Sequence, residues 1–270
     1  MKNEWLEQCL ELSRHKADLW SGCRKIIRNV HFSIEDFGDD LTMADCGFTK
    51  SKTSMLTRNY LHEESRSMAV TLWDRRCQQE KYGSVGFSCY NHLIKGDIEK
   101  KSKRASVMGP CIQSVVLTWV NKKQFDIDVF YRTTELLKKF PADLVFLRDV
   151  LLTPFDMTNL GQVNFHFANV TLHPMYVVTL LPLVKDPIQW LERIKRTDKR
   201  FYEWTIKWTA QYLCKEYLRG IEKFSQAMRV RKDALERLDP KTLKTLQKYL
   251  RDNHPGYRNE YVAPEEDEEE

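Results

Sequence analysis

The chain lacks any apolar run long enough to cross a bilayer. The longest largely apolar stretch, residues 177–184, is interrupted by Thr179 and Pro182 and falls far short of the roughly 20 residues a span needs. A leader is missing as well: Met1-Lys2-Asn3-Glu4-Trp5 puts no basic region before an apolar one, so neither export nor a membrane partner is expected, and a cytoplasmic location is. The seven cysteines are odd in number, widely spaced and without a C-x-x-C. This excludes a disulfide framework and a zinc site, and no metal is expected.

What is present is a polar chain of 270 residues with a mean hydropathy of -0.55, enough for one good-sized core or two small ones. Its net charge of +5 is unevenly spread. With the six acids of residues 265–270 set aside, 32 acids of the original 38 stand against 43 bases in the remaining body. A basic body with an acidic tail points to phosphorylated partners, nucleotide or nucleic acid.

The apolar pattern Leu6, Leu10, Leu12, Leu19, Trp20 predicts a helix from Trp5 to Ile27. Residues 34–66 carry no readable element. Val70-Thr71-Leu72-Trp73-Asp74 reads as a short buried segment before the turn-rich Tyr82-Gly83-Ser84-Val85-Gly86. Residues 111–120 are rich in β-branched and aromatic side chains, and Phe125, Ile127, Val129 and Tyr131 alternate with polar neighbours, which predicts a β-hairpin. A two-residue loop at Asn121-Lys122 sets Val120 against Lys123 and, by counting back, Cys111 against Arg132. Opposed side chains in an antiparallel pair have Cβ atoms about 4.5–5.5 Å apart. A thiol beside a guanidinium follows, a setting that favours the thiolate nucleophile. A longer loop would leave the pair diagonal.

A helix over residues 136–152, broken near Phe140-Pro141, and a strand over 162–171 with Val163, Phe165, Phe167 and Asn169 on one face complete this part. Beyond Pro187, apolar residues from Phe201 to Met228 at spacings of three to five predict a long amphipathic helix. A last helix takes Asp239 as N-cap, Pro240 at its first position and Leu243, Leu246 and Leu250 on one face, and stops at Asn253. The acidic tail is expected to be disordered. The expected organisation is a catalytic domain over 1–185, a helical extension over 186–255 and a tail over 256–270.

Pro110-Cys111, a hairpin, Tyr131-Arg132-Thr133-Thr134-Glu135-Leu136, then Phe140-Pro141-Ala142-Asp143-Leu144 resembles the thymidylate synthase and deoxycytidylate hydroxymethylase family. Val70–Asp74 and Tyr82-Gly83 are similar to two upstream family segments. The resemblance spans roughly residues 60–180. It implies an α+β fold with a mixed sheet flanked by helices, here with an extra C-terminal helical segment, and a homodimer. The implied reaction is a folate-dependent transfer of a one-carbon unit from 5,10-methylenetetrahydrofolate to C5 of a deoxypyrimidine monophosphate.

By the same resemblance Cys111 is the nucleophile toward C6, and Arg132 binds the phosphate and favours the thiolate. Thr133 keeps a phosphate-binding hydroxyl, and Lys103 and Arg104 stand for a basic pair reaching the phosphate across the dimer. Glu135 and Trp73 lie at the folate, and His173 or a neighbour toward Asn169 lies at the sugar hydroxyl. Asp143 replaces the amide of the uracil-specific members. As a carboxylate it accepts from the cytosine amino group and favours a proton on N3, which implies dCMP as substrate, hydroxymethylation as the reaction and a phage setting, in the host cytoplasm. Ile112 stands where the family commonly has His. The family's upstream acid has no match at its spacing, where Ser51 and Lys52 stand, although Glu63 and Glu64 lie nearer. Two other readings stay open. One is a divergent thymidylate synthase acting on dUMP. The other is a catalytically silent relative that binds nucleotide or nucleic acid through residues 100–104; the enzyme itself does not require nucleic acid.

Overall fold

The computed structural model describes residues 4–35, 37, 42, 49–50, 61–79, 83–89, 111–212 and 240–253. Helix α1, Glu4–Arg14, buries Cys9 and Leu12 and ends well before Ile27. The remainder of the expected first helix is instead a hairpin of β1, Leu19–Ser21, and β2, Arg24–Ile34. Gly22, at φ +63°, makes the turn, a left-handed backbone that glycine adopts at no steric cost.

Helix α2, Glu63–Gln78, takes in the Val70–Asp74 segment. Ala69 and Trp73, four apart and on one face, are its buried residues, while Leu72 is left exposed. Strands β3, Ser84–Ser88, β4, Ile112–Asn121, and β5, Gln124–Glu135, follow. Helix α3, Phe140–Phe146, then carries Pro141 in its first turn, where the missing N–H costs nothing, so the proline starts a helix rather than breaking one. A π-helical turn, Leu147–Leu151, leads on to β6, Leu160–Leu172. Helices α4, Pro187–Thr197, α5, Lys199–Tyr212, and α6, Pro240–Asn253, complete the described chain. The expected helix from Phe201 is thus seen as far as Tyr212, and its continuation to Met228 lies outside the described residues, as do Asp239 and the acidic tail.

The six strands form one mixed sheet in the order β1-β2-β6-β5-β4-β3, antiparallel except for the parallel pair β5/β6. The protein is therefore α+β, with its helices against one face of the sheet. That face carries Phe32, Val115, Leu117, Ile127, Val129, Val163, Phe165 and Phe167, all buried. Trp190, Leu191, Ile194, Phe201, Leu246 and Leu250 belong to the same core, so α4, α5 and α6 pack on the sheet's own hydrophobic interior. Lys25 fastens three elements. Its buried ammonium donates to the carbonyls of Ser13, in the last turn of α1, and of His15 just beyond it, and lies 4.5 Å from the ring centre of Phe201 in α5.

Four neighbouring strands change phase at one level. Inward residues stand two apart along each strand until Ile27 and Val30 on β2, Phe167 and Val170 on β6, Tyr131 and Thr134 on β5, and Ile112 and Val115 on β4, where the spacing becomes three. The pairs Tyr131↔Phe167, Val30↔Phe167 and Ile112↔Tyr131 align these interruptions. Asn29, at φ 52°, is the left-handed residue of the row, a conformation asparagine tolerates better than most. An extra residue re-aims the side chains that follow it. On β5 the two residues inside the interruption are Arg132 and Thr133. On β6 the same shift takes Asn169 out of the buried series.

Candidate active site

Because β5 and β6 run parallel and β2 and β4 run opposite to them, four chain segments meet at one end of the sheet. These are the carboxyl ends of β5 (Arg132–Glu135) and β6 (Leu172-His173) and the starts of β2 (Cys23-Arg24) and β4 (Cys111-Ile112).

Cys111 and Arg132 are opposed here, and the Arg132 N–H donates to the Cys111 carbonyl at 2.8 Å. The route to this pairing differs from the simple count. The loop is Lys122-Lys123, with Asn121 paired to Gln124, because the Asn121 side chain accepts the Lys123 N–H at 2.8 Å and so occupies the first turn position. Two irregularities then step the register, one from Asn121↔Gln124 to Trp119↔Phe125 and one from Ser114↔Phe130 to Ile112↔Tyr131, and return Cys111 to Arg132. Both side chains are half-buried, as is that of Thr133, which pairs with Asn169.

Two carboxyls near this end of the sheet are held away from their charged form. Glu135, 8% exposed, is pushed up to about 7 by burial, against the opposing pull of the His173 N–H that its Oε1 accepts at 3.2 Å and of Arg24, Lys138 and Lys139. Asp143, in the first turn of α3, is likewise raised to about 7 by burial, with Lys139 acting the other way. At neutral pH this end of the sheet therefore holds Arg24, Arg132, Lys138 and Lys139 against two incompletely ionised acids. Such a balance suits an incoming dianion.

His173 is pushed down to about 4 by burial, with Arg24 and Lys138 adding to the effect. Its Nδ1 accepts the Met175 N–H at 3.1 Å, so the neutral ring carries its proton on Nε2. That N–H points at Cys23 Sγ, 3.1 Å away. Trp208 of α5 and Tyr176 meet the imidazole edge-on, at 5.8 and 5.6 Å between centroids. His173 is thus a fixed donor rather than a base.

Trp73 is not brought to Glu135. It is 3% exposed and stacks on Trp119 at 4.9 Å, with Phe125 and Phe155 against its edges. Trp119 and Phe125 flank the β4–β5 turn, the opposite end of the sheet from Cys111. A ring so enclosed has no free face for a cofactor. Lys103 and Arg104, like Pro110 and Tyr82, lie outside the described residues.

Cys23, Arg24, Lys138, Lys139 and Trp208 belong to this end of the sheet and were missed by sequence reasoning. Cys23 and Arg24 lie in the stretch that periodicity assigned to a helix. Lys138-Lys139 sits between two motif segments, and a pair of lysines there reads as solvated surface. Among the described residues, no group of His, Cys, Asp and Glu could hold a metal ion, and no helix is long and apolar enough to cross a membrane.

No protein-family model and no curated protein matches the chain. Among solved structures, thymidylate synthase from T4 phage is similar over 75% of this chain and 92% of its own, with a TM-score of 0.45 and 9% sequence identity.

Proposed function

We propose that the protein catalyses a folate-dependent one-carbon transfer to C5 of a deoxypyrimidine monophosphate, with dCMP as substrate and hydroxymethylation as the outcome. The observation that carries this reading is the opposition of Cys111 and Arg132 at a cationic sheet end that also holds two acids poised near neutrality.

In this reading Arg132 and the Thr133 hydroxyl take the substrate phosphate, with Arg24 and Lys138 adding to the positive field. The Cys111 thiolate attacks C6, forming the Sγ–C6 bond, and the C5–C6 π electrons move toward N3 and the C4 substituent. C5 becomes nucleophilic as a result. Asp143 meets the N3 edge. An acid titrating near 7 can give its proton to N3 as electrons arrive there and accept from the N4 amino group with its other oxygen. His173 offers Nε2–H to a sugar hydroxyl, which must displace Cys23 from that hydrogen. Methylenetetrahydrofolate, when bound, supplies the one-carbon unit. Of this chain's residues, Glu135 fits it, a carboxyl at the site end that can hold or release a proton near pH 7, whereas Trp73 does not.

Asp143 also favours a second reading. A protonated carboxyl can turn its O–H toward O4 and its carbonyl toward N3–H, so dUMP, the substrate of a thymidylate synthase, fits the acid form. As a carboxylate, Asp143 would set acceptor against acceptor at O4 and reject uracil.

The test is tritium release from 5-tritiated dCMP and dUMP with methylenetetrahydrofolate present. Release from dCMP that Cys111→Ala abolishes is expected, and release unchanged by that substitution would overturn the mechanism. Asp143→Asn is expected to move preference from dCMP toward dUMP by roughly tenfold or more, the scale of one mispaired buried hydrogen bond.

A further inference from the structure

A cavity of about 740 Å3 opens between the end of α1, the first two turns of α4 and the first two turns of α6, and no residue of the thiol site lines it. Its rim carries Arg14, Lys185, Arg193 and Lys241 against one acid, Asp186. That acid is already engaged as the N-cap of α4, accepting the Gln189 N–H at 2.9 Å. Arg14 is offset by Glu11 at 3.0 Å. Lys185, Arg193 and Lys241 have no carboxylate within ion-pair distance among the described residues. Half-buried Val184 and Ile188 supply its apolar lining, over the buried Trp190 and Leu246.

Three exposed cations from separate elements, with no acid paired to them among the described residues, repel one another, and an anion between them removes that cost. The positive ends of α4 and α6 open on the same space and act in the same sense. The volume is that of a small-ligand cleft, and an apolar floor under a cationic rim suits a molecule with a charged end and an uncharged body. A nucleic-acid backbone would call instead for a stripe of cations along an open groove.

We infer that this cavity is a second anion site, in which Lys185, Arg193 and Lys241 hold the phosphate of a small phosphorylated ligand whose apolar part rests on Val184 and Ile188. It assigns part of the basic body that the thiol site leaves unused.

Titration calorimetry on the full chain, in magnesium-free buffer, with inorganic pyrophosphate as the bare anion and ADP as an anion with an attached body, tests this. Both are expected to bind, ADP more tightly and each more weakly as salt is raised. The double variant Lys185→Glu/Lys241→Glu should lose roughly tenfold or more in affinity, the scale of a charge-assisted contact, while keeping its melting temperature and tritium release. Arg132→Ala should leave binding intact. Absence of binding at millimolar ligand overturns the inference. So does equal affinity in the double variant, or loss of binding in Arg132→Ala, which would place the anion at the thiol site. Binding of a single-stranded oligonucleotide that the double variant abolishes, with ADP unbound, would make the surface a nucleic-acid contact and overturn it also.

Discussion

Glu135 is a carboxyl that folding penalises for being charged. Its value in the unfolded chain is the ordinary 4.5, and in the folded protein it is about 7. Between these values the folded state binds more protons than the unfolded one, so stability contributed by the neutral acid is present at low pH and is lost as pH rises from 4.5 to 7. Asp143 acts in the same direction. His173 opposes them. With a folded value near 4, it makes stability fall as pH drops from 6.5 toward 4. Glu135→Gln keeps an oxygen for the His173 N–H but removes the charge. Denaturant unfolding at pH 8 should therefore show a more stable variant, by up to about 3 kcal/mol, with little change at pH 4.5. If Glu135 also exchanges a proton during turnover, kcat for tritium release should fall and lose its dependence on pH near 7. A variant with unaltered stability at both pH values would mean that the buried carboxyl carries no penalty. At this scale the sequence was partly legible. Counting paired Cys111 with Arg132 because two irregularities in the hairpin offset a turn that lies one residue later than expected. The partners of His173 could not be found by counting, because Cys23 lies 150 positions away and meets it only through the β2–β6 ladder.

Elements were read best where one period held throughout. Burial alternates over 115–117 in β4, 125–131 in β5 and 163–167 in β6, and α6 begins and ends where Pro240 and Asn253 indicated. Helix α1 was overextended because Leu19 and Trp20 continue a helical spacing by chance, while the turn at Gly22 is set by backbone freedom that an apolar count does not register. The aligned interruption across four strands was also invisible, since each strand shows only one skipped alternation. Asn29 tests it. Asn29→Gly should change stability by no more than about 0.5 kcal/mol, because glycine accepts the same backbone. Asn29→Val, with a β-branched side chain at positive φ, should cost about 1–3 kcal/mol in chemical denaturation. It should also weaken phosphate-dependent substrate affinity, since the same interruption sets Arg132 and Thr133 on β5. Equal stability of the two variants would show that the left-handed residue does not hold the row.

At the scale of the whole molecule, helices cover one face of the sheet, and among the described residues no element covers the other. Its polar groups are largely paired along the sheet itself: Ser33 donates to Asn164 at 2.6 Å, His166 meets Asp128 at 2.8 Å, the Gln162 N–H donates to Asp126 at 3.1 Å, and Ser84 bonds Thr118 at 2.9 Å. Groups satisfied sideways can be covered without leaving orphaned donors or acceptors. Phe130, 39% exposed and stacked on His166 at 4.7 Å, and Val120, 57% exposed, add apolar area to this face. We propose that a second copy of the chain covers it, giving the homodimer that the sequence leads one to expect. Phe130→Asp places a charge in the middle of that face and leaves the helical core untouched. Sedimentation velocity at micromolar concentration should find the parent chain as a dimer and the variant as a monomer, with unchanged secondary structure by circular dichroism. A monomeric parent would overturn this pairing and leave the phosphate to Arg132, Thr133, Arg24 and Lys138 of one chain.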